Sequence, residues 1–278
     1  MRIAKGIAIG LSSFALVVTL LAAGFGACCL PITTQLLSQA VSDSENSPYT
    51  AAQLTTLAQA TRDFTVDDYG RATYGDKGAE TTLADAILQA ANAASNENSE
   101  VYERWSETAK LAVAGANSAS EASVAVFEGL AGVSDTYALD TDAISHLQDC
   151  NKLIGCVSPY LWVCAAISFL VLAGLHIANM RNPCYANTAA LICTIAPCVL
   201  IVAFLGFGIW AAIDFNGFFS AFHGLFFPQG NWTFSSESLL ICMYPLNFWI
   251  GMAIVWASTT LTCCIACLLL ARYLRKKA

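Results

Sequence analysis

Three histidines, His146, His176 and His223, are the scarcest proton-transferring side chains in the 278 residues. An imidazole takes and returns protons near neutral pH, so two of them at one place suit general acid–base chemistry. His146 lies in Asp140-Thr141-Asp142-Ala143-Ile144-Ser145-His146-Leu147-Gln148-Asp149-Cys150. On a helix, Asp142 four residues before it and Asp149 three after can both reach the ring, where a carboxylate fixes the tautomer and raises basicity. The bland alternative is a solvated helix face on which a histidine happens to fall. His223 shares a spacing of four with Phe215, Phe219 and Phe227, which puts it in an aromatic helical stripe. Eight of the residues 215–234 are aromatic. An interfacial aromatic belt accounts for those rings better than it accounts for the imidazole. His176, followed by Asn179 and Arg181, reads as an interfacial polar residue without a role.

Other chemistries find little support. His146 and Cys150 are four apart and could chelate, but there is no second such pair, no HExxH and no pair of CxxC motifs at finger spacing, so no metal is expected. No Gly-rich phosphate loop and no GxSxG nucleophile elbow appears, and no cofactor is expected. Ten of the twelve cysteines, Cys28, Cys29, Cys193, Cys263, Cys264 and Cys267 among them, fall in or at the edge of apolar stretches, where they read as small packing residues. Only Cys150 and Cys156 border a polar region, and their offset on a helix is poor geometry for a bridge.

The elements that must position the histidines are written in the hydropathy. The chain is 56% apolar and only 12% charged. Four stretches, about Ile7 to Leu30, Val157 to Ala178, Tyr185 to Ile213 and Leu239 to Ala271, contain no Asp, Glu, Lys or Arg. Each is long enough to cross a hydrocarbon core, which takes about 20 helical residues. The expected fold is therefore an all-α integral membrane protein with four transmembrane helices. Arg2, Lys5, Arg181, Arg272, Arg275, Lys276 and Lys277 flank these stretches with no acid among them, whereas residues 31–156 carry a net charge of minus 12. Cytoplasmic segments collect basic residues, so both termini are expected inside and the acidic segment outside. Both His146, ahead of the second span, and His223, after the third, then belong near the outer boundary. Phe25-Gly26-Ala27-Cys28 loosely resembles a lipidated signal cleavage site, but Phe25, Pro31 and Ile32 fit it poorly, and the first span is read as an anchor. The overall charge of minus 7 comes from the outer segment and gives no reason to expect a nucleic-acid partner.

Residues 1–30 thus form the first span, 31–156 an extracytoplasmic helical cap, and 157–278 a three-helix membrane domain with an aromatic-rich outer loop at 214–238. The cap is rich in Ala, Ser, Thr, Asn and Glu and poor in β-branched runs, which favours helix. Thr50 to Gln53 has capping-box spacing, followed by Leu54, Leu57 and Thr61 on one face. Leu83, Ile87, Ala90, Ala91 and Ala94 make a second stripe, and Val101, Trp105, Thr108, Leu111 and Ala112 a third. Turns are expected at Asp67 to Gly70 and Tyr74 to Gly78. These faces are thin, so the cap is expected to lean on the membrane domain for part of its core. Pro245 predicts a break near the start of the fourth span.

The two histidine segments resemble the signature of the bacterial membrane family that contains the lipoprotein intramolecular transacylase. Ile144-Ser145-His146-Leu147-Gln148-Asp149-Cys150 fits the family's first motif, ahead of the second span. Phe222-His223-Gly224-Leu225-Phe226-Phe227 with Trp232, then Leu240-Ile241, Pro245 and Phe248-Trp249, fits the second. Ala143 stands where the family tends to have Glu, Cys150 where it has Val, and Ser238 where an Asp is common. Asp142 and Glu237 are neighbouring acids that could substitute. The resemblance implies transfer of the sn-2 acyl chain of a diacylglyceryl-cysteine lipoprotein to its own N-terminal amine, in a bacterial plasma membrane. It also implies His146 and His223 as catalytic residues supported by Asp149 or Asp142. The pocket for membrane lipid and lipoprotein substrate would then be walled by Phe222, Phe226, Phe227, Trp232, Pro245 and Trp249, with no metal. Two other readings stay open: a non-enzymatic assembly or sensor protein with an acidic binding cap, and a related lipid acyl-hydrolase or transferase using the same site.

Overall fold

The computed structural model of the chain describes residues 2–67, 135–182 and 184–277. The regular elements among the described residues are all helices, with no strand. In order they are α1 (Arg2–Cys28), α2 (Pro31–Val41), α3 (Ala51–Arg62) with a π-helical turn Asp63–Asp67, α4 (Thr141–Asn179), α5 (Cys184–Ile213), α6 (Phe215–Phe226), α7 (Leu239–Met243) and α8 (Leu246–Lys277). Four of them, α1, α4, α5 and α8, are long and apolar enough to cross a membrane. The stripes expected at Leu83 and Val101, and most of the two expected turns, lie outside the described residues.

The chain divides into two compact units. The first comprises Met1–Cys28, Val157–Ala221 and Ala253–Ala278. Its small core joins Leu16 and Leu20 of α1 to Ala190, Cys193, Ala196 and Leu200 of α5 and to Cys264 of α8. Small residues let helix backbones approach, and in lipid that packing replaces the hydrophobic effect as the force between helices. Outward, Trp162, Phe169 and Val202 are each at least 70% exposed, an apolar surface that suits lipid. Gly24 marks the tightest approach: a side chain there would strike Trp256 and Thr260 of α8. Gly24→Leu is expected to destabilise this packing by about 1–3 kcal/mol, read as a lower thermal midpoint of the detergent-solubilised protein.

The second unit comprises Cys29–Cys156 and Phe222–Met252. The Thr50 capping box is formed: Gln53 donates its backbone N–H to Thr50 Oγ1, and the Gln53 side chain accepts the Thr50 N–H at 2.8 Å. Leu54, Leu57 and Thr61 are buried on one face, as their spacing requires. Their core continues through Phe64, Leu139, Ile144 and Leu147 into Leu239, Leu240, Cys242, Met243, Tyr244 and Phe248. The fourth span was expected from Leu239, but Leu239–Met243 is a separate short helix in this core, and the long helix begins at Leu246 after a break at Tyr244 and Pro245. Apolar composition does not distinguish lipid-facing from protein-buried residues, and the proline is the feature that does. Ser238 caps this short helix by accepting the Ile241 N–H. A serine replaces an aspartate well in that role.

Two buried polar side chains tie the unit together. Arg62 donates to the carbonyl of Cys29, just past the end of α1, and pairs with Asp63 at 2.7 Å. Asn151 of α4, fully buried, donates to the carbonyls of Phe64 (3.3 Å) and Thr65 (3.0 Å) in the π-helical turn. Asn151→Leu removes these donors and is expected to cost about 1–3 kcal/mol, again as a lowered thermal midpoint.

Candidate functional site

His146 and His223 both belong to the second unit. His146 sits in the polar first turns of α4, ahead of the apolar stretch that begins at Val157. Asp140 starts this helix by accepting the Ala143 N–H at 2.7 Å. His223 sits in the last turn of α6, after which Gln229 to Trp232 fold back. Gly230 has φ +83°, a left-handed conformation that glycine adopts without strain, and it closes the turn by donating its N–H to the Phe227 carbonyl at 3.2 Å. The Trp232 indole donates to that same carbonyl at 3.2 Å.

These elements bring the two imidazoles together, with ring centroids 6.3 Å apart. Phe227, almost fully buried, lies edge-on to His146 at 4.8 Å, and Phe234 is 5.9 Å from it. Trp232 lies 5.1 Å and Phe222 5.5 Å from His223. Phe226 packs on Phe222 at 5.0 Å. Of the remaining residues named from sequence, Pro245 sits at the break before α8, and Trp249 packs on Tyr244 and Phe248, at 5.9 and 5.5 Å. Asp142 is exposed at the start of α4 and makes no hydrogen bond to His146 among the described residues.

Asp149 takes the carboxylate position, one turn beyond His146, but its hydrogen bonds go elsewhere. It accepts from Gln229 (2.6 Å), Asn231 (3.3 Å) and Lys152 (3.2 Å). Burial raises its carboxyl, and the bonds from Lys152, Asn231 and Gln229 more than offset that, leaving it below its ordinary value. Asn231 also donates to Ser145 Oγ at 3.1 Å, so the loop after His223 grips the His146 helix on both sides of the imidazole. Sequence reasoning passed over Gln229 and Asn231. Their signal was two amide side chains around a glycine, Gln229-Gly230-Asn231, set inside an aromatic-rich loop.

The basicity of His146 departs from the expectation that its carboxylate neighbours raise it. Burial pushes it down to about 4, the charge of His223 adds to that, and Asp149 opposes both without overcoming them. The ring is neutral at pH 7. Its Nε2 lies 3.7 Å from Cys150 Sγ, and its Nδ1 is buried without a hydrogen-bond partner among the described residues. Burial, aided by the Asp149 charge, raises the Cys150 thiol to about 12, so it remains a thiol and no ready nucleophile. Cys150 and Cys156 are both free. No group of three or more His, Cys, Asp or Glu able to hold a metal occurs among the described residues.

Two imidazoles among aromatic rings, one of them held neutral by burial and with no activated nucleophile beside them, fit proton transfer between two groups of a bound substrate. Residues 117–249 match the family model for the lipoprotein intramolecular transacylase Lit. No curated protein and no solved structure matches the chain. The Lit resemblance carried by the two histidine motifs is thereby shown over residues 117–249. The segment matched by Lit contains both imidazoles, Asp149, Phe222, Phe226, Phe227, Trp232, Phe234 and Trp249.

Proposed function

We propose that this chain moves the sn-2 acyl chain of a diacylglyceryl-cysteine lipoprotein to the α-amino group of the same cysteine. The observation that carries this reading is the pair of imidazoles 6.3 Å apart within the Lit-matched segment. The neutral amine attacks the ester carbonyl, the carbon–nitrogen bond forms as the carbon–oxygen bond breaks, and the proton lost by nitrogen reappears on the glyceryl oxygen. No water and no enzyme nucleophile enters. His146 accepts the proton. An imidazolium with so low a pKa is a strong acid that gives its proton up readily, while Asp149 nearby favours the charge during its brief life. His223 polarises the ester or protonates the leaving oxygen.

Amine and ester belong to one molecule, so holding them together supplies much of the rate. Favourable intramolecular cases gain about 7–11 kcal/mol in this way. Phe222, Phe226, Phe227 and Trp232, with Pro245 and Trp249 further along, wall a pocket that holds acyl chains and excludes water that would otherwise hydrolyse the ester. Asp142 is a reserve acid at most. The Lit resemblance implies a bacterial plasma membrane, and the distribution of basic residues supports both termini cytoplasmic and residues 31–156, as a cap, outside. A glycerolipid ester lies at the boundary where that topology puts both histidines. The chemistry as written calls for no metal ion.

The test is expression in a bacterium that makes diacylglyceryl lipoproteins but lacks N-acylating enzymes, with tandem mass spectrometry of a reporter's N-terminal lipopeptide. The expected product is N-acyl, S-monoacylglyceryl cysteine. An unchanged diacylglyceryl product from well-inserted protein contradicts the proposal.

A further inference from the structure

We propose that Asn231 is the residue that receives the substrate's amine, offering its Oδ1 as the acceptor for an amine N–H; this rests on the transacylase reading. The amide end of Asn231 is committed. Its Nδ2 donates to Ser145 Oγ at 3.1 Å and to Asp149 Oδ2 at 3.3 Å. A carboxylate accepts hydrogen bonds and donates none, so the amide cannot flip without facing oxygen to oxygen. Oδ1 is therefore held as an acceptor, and it is buried with no hydrogen-bond partner among the described residues. An unmade bond at a buried polar atom is costly, and a site that must receive a polar group is where such an atom persists.

The placement matches the chemistry. Ser145 and Asp149 flank His146 on one helix face, and the His146 Nδ1 is likewise buried and unpartnered. An amine ready to attack has a lone pair for the ester carbon and N–H bonds to be held. Oδ1 takes one N–H without removing the proton, and His146 takes the other as the new bond forms. Gln229 shares the Asp149 Oδ2 at 2.6 Å, but its own amide oxygen is not among the buried unpartnered atoms. Gln229 is accordingly a positioning residue for the carboxylate, and Asn231 touches substrate.

An amine holder governs which nucleophile reaches the ester. Asn231→Ala leaves the histidine pair to activate the ester but no longer favours amine over water. The experiment uses the intact chain in the reporter strain and counts two products by tandem mass spectrometry: the N-acyl monoacylglyceryl form and the free-amine monoacylglyceryl form left by hydrolysis. The expected result is a shift of about tenfold or more in their ratio toward the free-amine form. Gln229→Ala should leave the ratio unchanged. The pair N231D with D149N restores one donor and one acceptor with exchanged polarity, keeps an acceptor oxygen at position 231, and should recover a ratio near the parent's. An unchanged ratio in Asn231→Ala, with both products lowered together, overturns this inference alone. Absence of any N-acyl product from the unaltered chain overturns the transacylase reading, and this inference with it.

Discussion

His146→Ala and His223→Ala each lower acyl transfer by about 10²- to 10⁴-fold, the range set by removal of one positioned proton-transfer group. The protein is expected to insert and fold, because neither histidine is among the buried core residues. His146 Nδ1 has no hydrogen bond to lose among the described residues, and Phe227 gives up one edge-on ring contact. The two imidazoles lie within 6.3 Å and handle the same proton, so the double variant is expected to be little worse than the poorer single one. Residual transfer in all three reflects amine and ester being held in one molecule. The measurement is initial rate of N-acyl product on a diacylglyceryl lipopeptide in micelles. Near-parent rates in either single variant would remove that imidazole from the mechanism.

The second large effect is on pH. The substrate's α-amine has an ordinary pKa of about 8, so the rate at low substrate falls about tenfold for each pH unit below that. An ordinary imidazole base would add a second fall starting near 6.5. Burial holds His146 at about 4, so the added fall begins there instead. At pH 5 about a tenth of the rings are protonated rather than nearly all, leaving about thirtyfold more activity than an ordinary imidazole would. Stability responds through the same group. The folded-state value is depressed below the unfolded one of about 6.5, so below that pH the unfolded chain takes a proton that the folded chain refuses. The stability contributed by neutral His146 is present above pH 6.5 and is lost as pH falls from there to about 4. His146→Gln, which cannot titrate, should flatten that interval. A His146 ring resonance that titrates near 6.5 would show that burial does not govern the group.

Much of the candidate site was legible because its residues are rare and their spacing is helical. Two histidines near span ends, one beside carboxylates and one in an aromatic stripe, could be grouped by topology before any coordinate was known. The Thr50 capping box and the face of Leu54, Leu57 and Thr61 were equally readable, since a local hydrogen bond and a local period fix them. Relations made by tertiary folding were not. Helical spacing allowed Asp142 and Asp149 equally, and the loop that brings Gln229 and Asn231 onto Asp149 is what separates them. Carboxylates are the neighbours of His146 visible in the sequence, whereas burial is the larger influence on it. The run from Leu239 to Tyr244 read as membrane-crossing for a related reason, because leucines facing lipid and leucines facing a protein core look alike in sequence.

The most direct test of the central claim follows one acyl chain. Purified protein is given a diacylglyceryl-cysteine lipopeptide with isotope-labelled carbon in the sn-2 chain only, mixed in micelles with unlabelled lipopeptide of different peptide mass and with unlabelled phospholipid. Transfer within one substrate puts the label on the α-amine of the peptide that carried it and on no other, with the glyceryl sn-2 oxygen freed. Unlabelled acyl on that amine, or label on the second peptide, would contradict transfer within one substrate.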